Sequence, residues 1–163
     1  MNGATTQLSR YGSLAGLIAL TLMVGALGSL VTTPAIPTWY AGLARPSFAP
    51  PNWVFAPVWT TLYVMMAVAA WLIWRQPPSP ARRAALRLFA VQLALNTIWS
   101  FLFFGFGRID LALLEIAVLW AAIVATTFAY AGLSRAAAWL MVPYLAWVSF
   151  AAVLNFAFWR LNG

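Results

Sequence analysis

Five nearly unbroken apolar runs, separated by short segments that carry arginine, proline or glycine, take up almost all of this 163-residue chain. They cover Tyr11–Thr32, Trp53–Trp74, Leu86–Phe106, Ile109–Ala131 and Ala136–Trp159. Each holds about 20 residues or more, which at ~1.5 Å rise per residue crosses a hydrocarbon core of roughly 30 Å. The pattern predicts an all-α membrane protein, a bundle of five transmembrane helices. It forms one domain over residues 1–163, with no room for a soluble catalytic module. The first run follows Arg10, but it is too long for a signal-peptide core and no small-residue cleavage site follows it. A retained helix is expected there.

Composition sharpens the picture. The chain is 64% hydrophobic, with nine arginines and only two acids, Asp110 and Glu115, for a formal net charge of +7. In a soluble protein that excess would suggest nucleic acid. Here the arginines fall between the apolar runs, where they cap membrane helices, so the expected partner is the lipid bilayer and not nucleic acid. There is no cysteine and no histidine. Disulfides, thiolate chemistry and imidazole ligation are excluded, no metal site is expected, and a haem would find at most a weak axial ligand. Two acids, one of them at a helix end, cannot make a paired-carboxylate mechanism, and a serine–histidine pair is impossible.

Charge also orients the bundle. Five spans put Arg10, Arg75, Arg82, Arg83, Arg87 and Arg135 on one side, and Arg45, Arg108 and Arg160 on the other. Six against three predicts a cytoplasmic amino terminus, with the loop between the first two spans and the carboxyl terminus opposite. That loop, Thr33–Asn52, is the only long connection. It holds Pro34, Pro37, Pro46, Pro50 and Pro51, with Trp39, Tyr40 and Phe48 between them. Prolines restrict the backbone and the aromatics need something to cover, so a structured lid is expected rather than an interfacial aromatic belt.

Helical rise places the intramembrane polar residues beneath that loop. From its side of the bilayer, Trp59 and Glu115 lie roughly 9 Å deep, Trp99 roughly 10 Å, Asn96 roughly 15 Å and Asn155 about 6–8 Å, with Trp147 nearer the middle. Amides and carboxyls are costly in lipid and should face the bundle interior. Taken singly, Asn96 and Asn155 are best read as interhelical hydrogen-bonding residues. Glu115 either finds a partner, such as Arg108, or stays protonated. Together these residues describe an aromatic, weakly polar pocket suited to a flat apolar ligand held by stacking and a few hydrogen bonds. Pro143, seven residues into the fifth run, either kinks that helix or is simply tolerated. Gly12-xxx-Gly16, Gly25-xxx-Ser29 and Ala90-xxx-Ala94 allow close helix contact, within the bundle or between copies.

Three stretches carry a resemblance. The first is Trp39-Tyr40 through Arg45-Pro46-Ser47-Phe48-Ala49-Pro50-Pro51-Asn52-Trp53-Val54-Phe55 to Trp59 and Tyr63. The second is Gln92 through Asn96 and Trp99 to Phe103-Phe104-Gly105. The third is Val142-Pro143-Tyr144-Leu145-Ala146-Trp147 with Leu154-Asn155 and Trp159-Arg160. From about Thr33 onward the chain resembles the TspO/MBR family of tryptophan-rich sensory and translocator proteins. The resemblance implies a five-helix bundle, often a homodimer in bacteria, with a pocket closed by the first long loop. Its implied ligands are porphyrins such as protoporphyrin IX and haem, benzodiazepine-type drugs and, in mitochondrial members, cholesterol. Carried over by motif, the ligand-binding residues would be Tyr40, Pro50, Phe55, Trp59, Tyr63, Asn96, Trp99, Trp147, Ala151 and Leu154. Trp59 and Trp147 match two indoles implicated in light-dependent porphyrin breakdown. The family's sterol motif is altered here, because Phe156 stands where it has tyrosine.

Three functions fit these residues. A receptor or sensory protein for tetrapyrroles, needing no cofactor and taking porphyrin as its ligand, is the favoured one. Light-driven porphyrin degradation through Trp59 and Trp147 comes second, since an oxidisable indole beside the chromophore suffices. Active transport comes third, because neither ion-coupling charges nor broken-helix repeats are present.

Overall fold

The computed structural model describes the backbone of residues 2–163 and the side chains from Tyr11 onward, so the side chain of Arg10, counted above in the charge asymmetry, lies outside the described residues. Five long helices run through them: α1 (Asn2–Ala35), α2 (Phe55–Trp74), α3 (Pro80–Ser100), α4 (Ile109–Ala131) and α5 (Arg135–Asn162). All five are long and apolar enough to cross a membrane. The protein is an integral, multi-pass, all-α membrane protein. The helices satisfy nearly all of their own backbone, Pro143 in α5 removing one bond, which is what the bilayer interior requires.

The helix ends differ from the apolar runs where capping chemistry outweighs hydropathy. α3 begins at Pro80, well before Leu86. The Ser79 hydroxyl accepts from the Arg82 amide at 3.1 Å and Pro80 occupies the first turn, where its missing N–H costs nothing. α5 is capped in the same way by Ser134, which accepts from the Ala137 amide at 3.3 Å. It continues through Pro143 to Asn162 as one helix. α3 does not stop cleanly at its far end. Phe101–Gly105 form a wider turn in which the Phe106 amide donates to the Phe101 carbonyl at 2.8 Å. Such π-turns insert a residue and rotate the side chains that follow.

The helices close a ring: α1 packs on α2 and α3, α2 on α5, α5 on α4, and α4 on α3. Met66, Ala70 and Ile73 of α2, Leu119 and Ile123 of α4, and Met141 and Val148 of α5 form the centre of the core, all essentially inaccessible. α1 is the outlier. Only 11% of its most apolar stretch is buried, against 39% for α2. It is seated through small residues. A Cβ on Gly25 would lie 2.5 Å from the Tyr63 ring, and one on Gly28 would lie 3.1 Å from the Ser100 hydroxyl. Gly25-xxx-Ser29 therefore serves packing within the bundle at Gly25, whereas Gly12 and Gly16 face open space.

Candidate functional site: an aromatic cavity beneath a pinned loop

The segment between α1 and α2 is folded onto the bundle. Tyr40 opens a short 3-10 turn, Tyr40–Gly42, and its ring is only 4% exposed, packed on Phe104 and Phe158 with centroids 5.7 and 5.3 Å away. The Arg45 guanidinium lies 5.3 Å from the centre of that ring and donates to the Pro50 carbonyl and the Asn52 side chain, each at 3.2 Å. Burial raises the Tyr40 phenol above its ordinary pKa, and Arg45 pulls it partly back. Trp39 crosses to the α3–α4 turn, where its indole sits 3.2 Å from the place a Cβ would take on Gly107. Gly107 has φ 63°, a conformation that already favours glycine. The last helix completes the attachment. The Asn162 side chain accepts from the Ala44 amide at 2.8 Å and donates to the Ala44 carbonyl at 3.0 Å. This is a structured lid, with both backbone groups of one residue held by a single amide.

Beneath it lies a cavity of about 310 Å³. Of the ten residues carried over by motif, Tyr40, Phe55, Trp59, Tyr63, Asn96, Trp99, Trp147, Ala151 and Leu154 line it. Pro50 does not. Its carbonyl instead receives Arg45, so it shapes the lid rather than the cavity wall. Trp59 and Trp147, the two candidate photochemical indoles, both face this space. Trp59 leans on Tyr63 at 5.7 Å between ring centres, and Trp147 meets Phe55 edge-on at 5.9 Å.

The buried amides organise the walls. The Tyr63 hydroxyl donates to Asn96 Oδ1 at 2.5 Å, and Asn96 Nδ2 donates to the Tyr144 hydroxyl at 3.2 Å, joining α2, α3 and α5 at mid-depth. Nearer the lid, Trp99 Nε1 donates to Asn155 Oδ1 at 3.0 Å, while Asn155 Nδ2 donates to the Ile109 carbonyl at 3.1 Å. Both asparagines are thus interhelical hydrogen-bonding residues that also line the cavity. Glu115 corrects a sequence expectation. Arg108 pairs with Asp110 at 2.7 Å, and the Glu115 carboxyl has no hydrogen-bond partner among the described residues. Of the two readings, the pairing with Arg108 is excluded.

Sequence reasoning missed an entire wall. Gly25, Gly28, Ser29, Thr32 and Thr33 of α1 line the cavity, as do Phe103 and Phe104 of the π-turn. Amides and indoles stand out in an apolar run, whereas the α1 signal is only a run of small residues at helical spacing.

Comparison with known proteins places the arrangement. The model of the TspO/MBR family matches residues 17–160, nearly the full length of the chain. The chain belongs to the TspO/MBR family. That extent takes in most of α1, so the wall missed from motifs alone lies within the family's boundaries. The tryptophan-rich protein TspO of Chlorobaculum tepidum is 42% identical over 154 residues, covering 92% of this chain and 96% of its own. The tryptophan-rich sensory protein of Cereibacter sphaeroides is 40% identical over 142 residues, covering 85% and 88%. The translocator protein of Homo sapiens is 43% identical over 126 residues, covering 76% and 75%. This TspO/MBR chain thus resembles bacterial and mammalian members to a similar degree.

Proposed function

We propose that the protein is a membrane receptor with a sensory role, binding flat apolar ligands of the porphyrin class, protoporphyrin IX or haem, beneath the α1–α2 loop. The observation that carries this reading is the convergence of Trp59, Trp99 and Trp147 on one cavity beneath the lid, whose polar atoms are a few well-bonded amides and hydroxyls. Indole faces offer stacking area for a planar macrocycle, and the amides offer orientation. Porphyrin is the ligand in this reading and no resident cofactor is needed. The names of the relatives, sensory protein and translocator protein, agree with a receptor. The inferred orientation keeps the amino terminus cytoplasmic, with the lid and carboxyl terminus opposite. The inferred assembly is a homodimer.

A second reading has its own observation: Trp59 and Trp147 both line the cavity, where a bound chromophore could oxidise either under light. One experiment separates the two. Protoporphyrin IX is titrated in detergent, dark and illuminated, against wild type and the Trp59→Phe/Trp147→Phe double variant. The receptor reading expects saturable binding with the porphyrin unchanged in both conditions. Loss of porphyrin only in light, and only with both indoles present, would establish degradation instead. Absence of saturable binding would remove the tetrapyrrole assignment.

A further inference from the structure

We infer that the cavity is loaded sideways from the bilayer, through a slot between α1 and α2, and not through the lid. The inference rests on the receptor reading above. It starts from where α1 and α2 touch. The Trp71 indole donates to the Ser13 hydroxyl, the Thr21 hydroxyl donates to the Tyr63 carbonyl at 3.0 Å, and the Gly25 backbone abuts the Tyr63 ring. Nearer the lid, α1 stays close to α3, with Gly28 against Ser100 and Val31 against Gly105. Its flank toward α2 combines cavity lining with exposure. There Leu22, Ala26, Ser29 and Thr33 of α1, spaced along one helix face, line the cavity and are also exposed. Ala56 and Thr60 do the same on α2. The cavity therefore has an open side at membrane depth.

The rim chemistry suits lipid. Ser29 donates to the Gly25 carbonyl at 3.0 Å and Thr60 to the Ala56 carbonyl at 2.8 Å, so these hydroxyls are satisfied within their own helices and leave carbon to the slot. Apart from Leu22, the rim side chains are small, alanine, serine and threonine. The lid end, by contrast, is shut by buried Tyr40 and by the Asn162 clamp on Ala44. A planar apolar molecule dissolved in the bilayer would meet an apolar slot on the side and a hydrogen-bonded closure on top.

The absence of cysteine makes the test clean, because each introduced thiol is unique. Ala26→Cys and Thr60→Cys are spin-labelled in lipid nanodiscs, with Ser47→Cys on the exposed lid as reference. Collisions dominated by dissolved oxygen at 26 and 60, and by a water-soluble nickel chelate at 47, are expected. Nickel-dominated collisions at 26 and 60 would overturn the lipid-facing slot, whether or not any porphyrin binds. The route is then read from protoporphyrin IX kinetics, by porphyrin absorbance. Ala26→Trp/Thr60→Trp should slow both association and dissociation by tenfold or more. Ala26→Leu/Thr60→Leu should show a smaller effect of the same kind, and Leu114→Trp, on the lipid face of α4, should show none. Wild-type rates in both slot variants, with faster exchange in Asn162→Ala, would assign entry to the lid. Failure of wild type to bind would remove the receptor reading by itself, leaving the label data to decide whether the slot opens to lipid.

Discussion

Asn155 satisfies an indole N–H from α3 and the first carbonyl of α4 with one side chain. Asn155→Leu roughly keeps the volume, leaves the Trp99 N–H unpaired at about 1–3 kcal/mol, and removes a second bond from the Ile109 carbonyl. The expected outcome is a clear fall in the melting temperature in detergent, together with weaker porphyrin binding as Trp99 loses its anchor. Gly25 makes a different demand. A methyl at 2.5 Å from the Tyr63 ring forces that ring off its place, and overpacking of this kind typically costs about 1–3 kcal/mol. Gly25→Ala should therefore destabilise the protein, and the effect should largely vanish when Tyr63→Ala is made first. A double-mutant thermal series measures the coupling. The two residues differ in how readable they are from sequence. An amide inside an apolar run announces that it needs a partner, so Asn96 and Asn155 were legible. The requirement at Gly25 comes from a ring on another helix, and nothing in the local pattern of α1 reveals it.

At the level of elements, the five apolar runs were legible because length and hydropathy decide a membrane span almost alone. Their ends were not, because ends are set by caps. Arg82, Arg83 and Arg87 lower the hydropathy of the first turns of α3 and hide them, while the Ser79–Pro80 pair that starts the helix is a local signal of another kind. Ser79→Ala should cost about 1 kcal/mol, read as a lower melting temperature with ligand affinity unchanged. The π-turn at Phe101–Gly105 had no readable signature, yet it helps place Phe103 and Phe104 against Tyr40. The lid was legible from its prolines and aromatics, but its clamp was not. Asn162 reaches Ala44 across 118 residues of sequence, a pairing that only the tertiary structure supplies. In Asn162→Ala, amide hydrogen exchange should accelerate around Ala44 while the helix cores keep wild-type protection.

For the whole molecule, nine of the ten residues carried over by motif line the cavity, because the residues that carry the family resemblance are also ones that face inward from the lid, α2, α3 and α5. The α1 wall escaped, since glycine, serine and threonine suggest contact without saying with what. The same ambiguity bears on assembly. Ala90 and Ala94 lie exposed on α3, whereas Gly25 is committed inside the bundle. For the homodimer proposed above, Ala90→Ile/Ala94→Ile is expected to yield monomers by light scattering in detergent; unchanged dimers would move the interface elsewhere. One further consequence follows from the sparse burial of α1. A cavity wall that turns most of its surface outward, toward acyl chains in a bilayer, makes the surrounding lipid a structural component of the receptor. Hydrophobic thickness and lateral pressure then act as effectors: ligand exchange rates measured in thin, thick or sterol-stiffened bilayers should differ for the same amino-acid sequence. A detergent micelle is accordingly one more such environment, with its own rate constants.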